Sequence, residues 1–438
     1  MYRFLRPLAC VLAILPGAAV AQLAIPEANG IDGAYDWPTG GTLDQTLNLS
    51  NAITYADWEN STPPGYSPGQ GIYDPARWAV IYRFSSVTIG NNSGTDRLFF
   101  TNHASRAPVV WLVSGDVVIH SNAQILLDGS DAAGCAPAEP GPGGFRGAAG
   151  RSGTLQPASD GFGPGGGLRI AGVGFTGGSF GGLGLAQGAV SPAATYASPF
   201  LVPLIGGSGG APRVDVEGCF GAGAGGGAIL IAATGTITVN GTIYARGGSA
   251  SGGGGSGGAI RLLASTVAGS GALNAGGGSD GSGFWTGEGG AGRIAVNANA
   301  IPFTGTANPT FERFEPVALP ITLWSPPTAP AVRPISVVAN GQTHNFPADP
   351  RAQFSFPSAD VAFDTTNPLT INIEARNVPV PPDPNAWSVV ARITPRSGVS
   401  QTLTATYVSG DTALSMWSLA VDTPPRGFGA IQVRAFRP

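Results

Sequence analysis

The sequence predicts an all-β protein, in which a parallel β-helix (a solenoid) with long Gly-rich loops is followed by a C-terminal immunoglobulin-like β-sandwich. Three observations predict this fold class: a repeat within residues 221–300, a long Gly-rich insertion before it, and a C-terminal series of short alternating segments. Apolar residues almost never recur at helical spacing after residue 21. We therefore expect strands and loops throughout the mature chain.

The N-terminus has the pattern of a secretory signal peptide. Arg3 and Arg6 supply a positive start, an apolar centre follows, and Ala-Val-Ala ending at Ala21 is a small-residue cleavage site. The apolar run is too short to span a bilayer. We expect cleavage near Ala21 and an exported protein (periplasmic, extracellular or at the cell surface), with no transmembrane segment in the mature chain.

The residues that follow the signal peptide are less repetitive and rich in aromatic side chains. Solenoids need atypical terminal units to close their open ends, so we expect an N-terminal cap with the first coils in residues 22–101. The aromatic side chains could instead line a carbohydrate platform, but we favour packing in the cap and core. They include Trp37, Tyr55, Trp58, Tyr66, Tyr73, Trp78 and Tyr82.

The repeat predicts the solenoid itself, over residues 102–301. The blocks GGAILIA, GGAIRLL and GAGRIAV place Ile229, Ile260 and Ile294 in one slot, 31 and 34 residues apart by subtraction. Apolar residues alternate in each block, which is typical of strands with one buried face, so Arg261 is expected to point outward. Units that cannot bury their own apolar face imply stacking.

An earlier coil and a long insertion precede the repeat. Residues 108–129 match the later coil, with Gly115 opposite Gly235 and, if two residues are inserted, Ile125 opposite Ile243. The insertion, residues 130–225, contains runs such as PGPGGFRGAAG and PLIGGSGGAP. Loops of this length tend to be functional or disordered. A third alternative is extended Gly segments packed side by side in polyproline-II geometry, which Gly permits at close approach.

The chain changes character twice after the repeat. Residues 302–334 are rich in Pro and read as a semi-rigid linker. In residues 335–438 Gly becomes rarer and roughly seven short alternating segments return, the pattern of a β-sandwich.

The candidate catalytic residues are few. Glycoside hydrolysis needs two carboxylates at a set separation, and the best pair is Asp215 with Glu217, which same-face spacing would bring together on one strand. We expect this pair to be structural or solvated. Ser208 and Ser256 lie in GGSGG contexts without the strand-to-helix elbow of a nucleophilic serine. We assign no catalytic, cofactor or metal site.

The composition limits the classes of partner. The net charge is −4, and a nucleic-acid-binding protein would need a basic face that this sequence lacks. The three His residues have no metal-ligand spacing to one another or to a Cys. Glycans or components of a cell envelope remain as expected partners.

The repeated phrases GGGGSGGAIRL and GGAILIAATGTITVNGTI, with PGPGGFRGAAG before them, resemble Gly-rich exported bacterial β-helix proteins of the adhesin or passenger type. The likeness covers residues 108–300 and implies an exported surface protein. The Gly-rich loops are also similar to those of phage-tail adhesins, in which polyglycine helices present recognition loops. Neither likeness carries catalytic residues to this chain.

Three functions follow from these observations. The first is a non-enzymatic surface or matrix protein for adhesion or for glycan or cell-envelope binding. The alternatives are a β-helical polysaccharide lyase or hydrolase and a purely structural spacer. Convergent carboxylates in a groove would favour the enzyme, whereas a featureless wall would favour the spacer.

Cys135 and Cys219 are expected to form a disulfide in the exported protein, since cleavage removes Cys10 and leaves an even pair in an oxidising compartment. The closed loop is 84 residues by subtraction, for which the chain-entropy model gives about 4 kcal/mol of stabilisation. Intact-mass analysis after alkylation, with and without reductant, checks the bond. Labelling of both thiols without reduction would contradict it.

Overall fold

The computed structural model describes residues 22–91, 94–150, 159–213, 220–279, 287–339, 341–345, 361–363, 369–395, 400–422 and 427–437. Within these ranges the protein is all-β, as predicted, and the one helical element is a 3-10 turn at Leu49–Asn51. The expected signal peptide lies outside the described residues.

Ten strands precede the insertion. They are β1 (Ala34–Asp36), β2 (Asp44–Asn48), β3 (Ile53–Thr54), β4 (Ile72–Asp74), β5 (Ala79–Phe84), β6 (Ser86–Ile89), β7 (Asp96–Thr101), β8 (Val109–Val113), β9 (Val117–Ile119) and β10 (Ala123–Leu126).

In the described residues three short strands lie in the insertion and seven follow it, of which the last two lie within the Pro-rich segment. They are β11 (Arg169–Ile170), β12 (Gly174–Thr176), β13 (Ala186–Gly188), β14 (Ala228–Val239), β15 (Thr242–Tyr244), β16 (Ala259–Ala268), β17 (Ala272–Asn274), β18 (Arg293–Ala300), β19 (Thr306–Asn308) and β20 (Glu312–Phe314).

The remaining strands belong to the C-terminal part of the chain. They are β21 (Ala331–Ala339), β22 (Gln342–Asn345), β23 (Val361–Phe363), β24 (Leu369–Arg376), β25 (Ser388–Pro395), β26 (Gln401–Thr404), β27 (Thr406–Gly410), β28 (Ser415–Val421) and β29 (Gly427–Phe436).

Two sheets of mostly parallel strands form the first part of the molecule. In the first sheet, β5, β8, β14, β16, β18 and β20 are successive parallel neighbours, and β6 and β9 pair beside the second half of β14. The second sheet has the order β19-β17-β15-β10-β7-β2, with every neighbour parallel. Their apolar side chains share one buried core.

The register of these sheets agrees with the register that the repeat predicts. Ile229 pairs with Ile260, and Ile260 pairs with Ile294, so the predicted slot is a ladder of buried side chains in the first sheet. In the second sheet Ile125 pairs with Ile243 as expected. A strand period of two places every residue of a slot on the same face, which is why aligned sequence blocks stack as aligned strands.

The opposite face of the first sheet is buried too, so the outward, solvent-facing position expected for Arg261 is wrong. Leu230, Arg261 and Ala295 are all buried. The cause is the Pro-rich segment, because the Arg261 guanidinium donates to the carbonyl oxygens of Thr322 (2.7 Å) and Leu323 (3.3 Å). Parallel sheets are generally covered on both faces, and here a distant part of the chain supplies the second cover. We call this covered side the outer face.

The N-terminal aromatic side chains pack in the core, as favoured over a carbohydrate platform. Five of the seven are buried, and Tyr55 and Tyr66 pack against the same cluster. The buried five are Trp37, Trp58, Tyr73, Trp78 and Tyr82.

The Gly-rich segments form a block of extended chains, neither helix nor sheet. We define the glycine block as residues 127–150, 159–167, 177–184, 204–211, 221–227, 245–258, 275–279 and 287–292. Their N–H groups donate to neighbouring segments in a three-residue cycle. In residues 221–227, the N–H groups at positions 221, 224 and 227 donate to one neighbouring segment, at the carbonyl oxygens of residues 134, 130 and 127. Those at positions 222 and 225 donate to a second segment, at residues 148 and 145. Those at positions 223 and 226 donate to a third segment, at residues 253 and 256.

This cycle indicates three residues per turn, the geometry of a polyproline-II helix, whose hydrogen bonds cannot be internal. The Gly-rich segments of the described insertion therefore adopt the third alternative, whereas β11, β12 and β13 form a small antiparallel sheet within it. At the glycines of closest approach the spacing leaves no room for a side chain. A Cβ added to Gly255 would lie 1.9 Å from the carbonyl oxygen of Ala224, and one on Gly248 would lie 1.9 Å from that of Ser130.

The C-terminal strands form two antiparallel sheets, with orders β22-β21-β24-β28-β27 and β23-β29-β25-β26. Apolar side chains of both sheets form a core separate from the first one. This part contacts the glycine block, since the Ser400 N–H donates to Asp160 Oδ2 (3.1 Å) and Arg392 donates to the carbonyl oxygen of Gly163 (3.3 Å). An immunoglobulin-like topology stays a prediction.

The predicted disulfide also stays a prediction, because Cys219 lies outside the described residues. The chain just after it does pass beside its expected partner. The Gly221 N–H donates to the carbonyl oxygen of Gly134, the residue before Cys135, at 3.0 Å.

Ile260→Ala is expected to lower the free energy of unfolding by about 2–5 kcal/mol, because it leaves a cavity in the middle of the ladder. Thr306→Ala, at an exposed position of β19, is the control and should change it by less than about 0.5 kcal/mol. Urea denaturation of the mature protein measures both values. Equal losses would contradict the buried position of Ile260.

Gly255→Ala is expected to lower the free energy of unfolding by about 3 kcal/mol, because the added methyl group would overlap backbone atoms that cannot move without breaking hydrogen bonds. Gly276→Ala is the matched control within the same block, since its nearest atoms are the side-chain ends of Asn308 and Asn274 at 3.0 and 3.2 Å. Thermal unfolding of the two variants compares them. A Gly255 variant as stable as the Gly276 variant would rule out the close packing described above.

Candidate functional site

The candidate catalytic pair, Asp215 and Glu217, lies outside the described residues, so its expected structural role stays a prediction. Other acidic side chains join segments that are distant in sequence. Asp116 accepts from the Thr236 N–H (2.7 Å), and Asp131 accepts from the Ser249 N–H (2.6 Å). These carboxylates bind the backbone of a neighbouring strand or segment, which gives them a structural role.

The two serines in GGSGG contexts are buried inside the glycine block. The Ser208 hydroxyl lies 2.8 Å from the Tyr196 hydroxyl and accepts from the Gly165 N–H (3.0 Å). Ser256 Oγ accepts from the Ser208 N–H (2.7 Å). Burial raises the pKa of Tyr196, which keeps its hydroxyl protonated as a donor. Both serines therefore bridge segments and are not open to a substrate.

Among the residues that the structure describes, no group of three or more His, Cys, Asp and Glu side chains is arranged to hold a metal ion. His103 stacks on Tyr73 with ring centres 4.3 Å apart, and its Nδ1 lies 2.8 Å from Ser105 Oγ. Burial lowers the pKa of His103, so its ring stays neutral at neutral pH. Within the described ranges, no helix has the length and apolarity needed to cross a membrane.

The Pro-rich segment creates two adjoining cavities where it crosses the outer face. The first, which we call the Trp324 groove, has a volume of about 470 Å³, and the second, the Arg261 pocket, of about 600 Å³. Ile321 and Thr322 line both, so the cavities lie on either side of these two residues. Charged and aromatic side chains line the Trp324 groove, namely Glu27, Glu59, Asp74, Arg77 and Trp324. The Arg261 pocket is lined by charged, polar and aromatic side chains, which include Phe200, Arg261, Asn297, Arg313, Phe314 and Glu315.

Arg77 is the centre of the Trp324 groove. Its guanidinium carbon lies 5.1 Å from the Trp58 ring centre and 5.0 Å from the Trp324 ring centre, within range of a cation–π interaction with both. It also pairs with Asp74 (2.9 Å) and with Glu59. The buried Trp58 indole donates to the same Asp74 carboxylate at 2.7 Å. This network fixes the position of Trp324 on the wall of the groove.

The Arg261 pocket has an aromatic rim and a polar floor. Phe200, which is 53% exposed, stacks on Phe314 with ring centres 4.4 Å apart. Arg313 pairs with Glu315 beside them. On the floor Arg261 is 3% and Asn297 is 9% exposed. Burial lowers the pKa of Arg261 to about 10, so its guanidinium remains charged at neutral pH.

Sequence reasoning missed this site. The sequence offers one signal for it, Arg261, which is a charged residue in an otherwise apolar position of the repeat. Trp324 gives no such signal, because it lies in the Pro-rich segment, whose composition suggests a linker and does not show which surface it covers.

Comparison of the chain with protein-family models, with curated proteins and with solved structures finds no match.

Proposed function

We propose that this chain is an exported, non-enzymatic surface or matrix protein that binds a glycan of a cell envelope on a β-solenoid scaffold. The observation that carries the proposal is the adjacency of the Trp324 groove and the Arg261 pocket, which share Ile321 and Thr322. Together they form one run of aromatic and charged side chains over the outer face. A run of this kind suits an extended polymer chain.

The chemistry of the run supports a saccharide. An aromatic ring offers an apolar face to the C–H side of a sugar ring, while the charged neighbours offer partners to its hydroxyl groups. Trp324 and Phe200 supply one ring in each cavity. Because the Arg77 network and the Phe200–Phe314 stack hold these rings, little side-chain entropy would be lost on binding.

The order of the strands supports the solenoid. The strands β8, β9 and β10 are followed along the chain by β14 and β15, which pair with them in parallel, and then by β16 and β17, which pair with those. Each turn of the chain adds one strand to each ladder, as in a stacked repeat. The shared core of the two C-terminal sheets supports a sandwich as the second unit. Export rests on the pattern of residues 1–21.

The geometry favours binding over the enzyme alternative. A hydrolase needs two carboxylates that are free to exchange protons or attack the sugar, and a lyase needs acids that are free to bind Ca²⁺ beside an Arg or Lys base. Three carboxylates line the Trp324 groove, and two of them, Asp74 and Glu59, pair with Arg77, so Glu27 is left without a second free carboxylate beside it. The role of the paired two is to hold Arg77 against Trp324. The spacer alternative is less favoured because the outer face carries two lined cavities.

Trp324→Ala is expected to weaken glycan binding by about tenfold, the equivalent of about 1.4 kcal/mol for one lost stacking contact. The mature protein is applied to an array of neutral and acidic bacterial polysaccharides, and the affinities of the bound members are then measured. Trp387→Ala, in the C-terminal part, is the matched control and should bind like the parent protein.

A reducing-end assay on the same polysaccharides completes the test. The proposal expects no new reducing ends during incubation. Turnover would replace it with the enzyme alternative, and a failure of every polysaccharide to bind would reject it.

A further inference from the structure

We propose that the Arg261 pocket is a subsite for an acidic sugar, in which Arg261 binds the carboxylate of a uronic acid residue and Asn297 accepts a hydrogen bond from its hydroxyl. This inference rests on the proposed glycan binding and names the class of glycan. It is carried by two buried polar atoms that belong to side chains lining the pocket.

The first atom is Arg261 Nε. Two of the guanidinium nitrogens donate to backbone carbonyls of the Pro-rich segment, but Nε is buried and has no hydrogen-bond partner among the described residues. None of the ion pairs formed by the described residues includes Arg261. A buried cation without a counter-ion is costly, and an anion that enters the pocket repays that cost.

The second atom is Asn297 Oδ1, which is also buried without a partner. It is a hydrogen-bond acceptor, so it needs a donor such as a hydroxyl group. A ligand that satisfies both atoms must therefore carry an anionic acceptor and a neutral donor together. A sulfate or phosphate ion has the first but, when fully ionised, lacks the second.

The register places the two residues on the same face of adjacent strands. Arg261 and Leu263 lie on one face of β16, and Leu263 pairs with Asn297 on β18. Arg261 and Asn297 are therefore diagonal neighbours on adjacent strands, a spacing of about 7–8 Å between their backbones. Both side chains line the same cavity, so one pyranose ring, with its carboxylate and a hydroxyl on different carbons, is placed to reach both.

The rim provides the remaining contacts. The Phe200–Phe314 stack offers a ring face to the sugar. The other charged groups that line the pocket, Arg313 and Glu315, are paired with each other. The excess charge in the pocket is thus the positive charge of Arg261, which selects a ligand with one negative charge.

The test compares acidic and neutral forms of the same saccharide. Tetrasaccharides of mannuronate, guluronate, galacturonate and glucuronate are titrated into the mature full-length protein by calorimetry, each beside its carboxyl-reduced neutral form. We expect at least one acidic form to bind about tenfold or more tightly than its neutral form. Equal affinities throughout would overturn the proposal.

Two variants assign the preference to the pocket. Arg261→Met should remove the preference for the acid, whereas Arg246→Met, which removes an exposed cation paired with Asp128, should keep it. Asn297→Leu should weaken binding of the acid about tenfold without loss of thermal stability, because its Oδ1 has no partner in the protein. This variant keeps the test decisive if the Arg261 variant does not fold. An Asn297 variant that binds the acid like the parent overturns the subsite.

The failures of the two proposals are distinguishable. If Trp324→Ala weakens the binding of neutral saccharides and the acidic forms bind no more tightly than the neutral ones, the glycan function stands and the acidic subsite is wrong. If no saccharide of either form binds, both proposals are wrong.

Discussion

The constraint on which the rest of the structure depends is the close approach of backbone to backbone in the glycine block. Each N–H in residues 221–227 reaches one of three neighbouring segments in turn, so the segments are held at hydrogen-bonding distance on several sides. A single Cβ at Gly255 would lie 1.9 Å from a carbonyl oxygen. The backbones can approach this closely, and so satisfy their buried N–H groups, because glycines occupy the positions of closest contact.

This block also determines where the strands begin. Residues 221–227 lead directly into β14, residues 245–258 lead into β16, and residues 287–292 lead into β18. Segments that are in register inside the block deliver strands that are in register outside it. The ladder of Ile229, Ile260 and Ile294 is the result, and its burial contributes the apolar stabilisation that extended Gly chains cannot supply.

The cover of the outer face links this scaffold to the candidate site. The Pro-rich segment accepts hydrogen bonds from two nitrogens of the Arg261 guanidinium. The third nitrogen, Nε, is buried and has no partner among the described residues. A protein selected for stability alone would place an apolar residue here, since a buried cation without a counter-ion destabilises the fold. Function at a site is a physical reason for such a cost, and in this pocket the cost is concentrated on Arg261 and Asn297.

The sequence by itself determined the all-β class, the alternation of the strands and the pairing of Ile229 with Ile260, because period and offset are local properties of the chain. It also identified side-by-side Gly segments as one of three alternatives. Only the tertiary structure decided that Arg261 is buried and that Trp324 lines a groove. Both depend on where a distant Pro-rich segment packs, and composition reports the stiffness of that segment but not the surface that it covers.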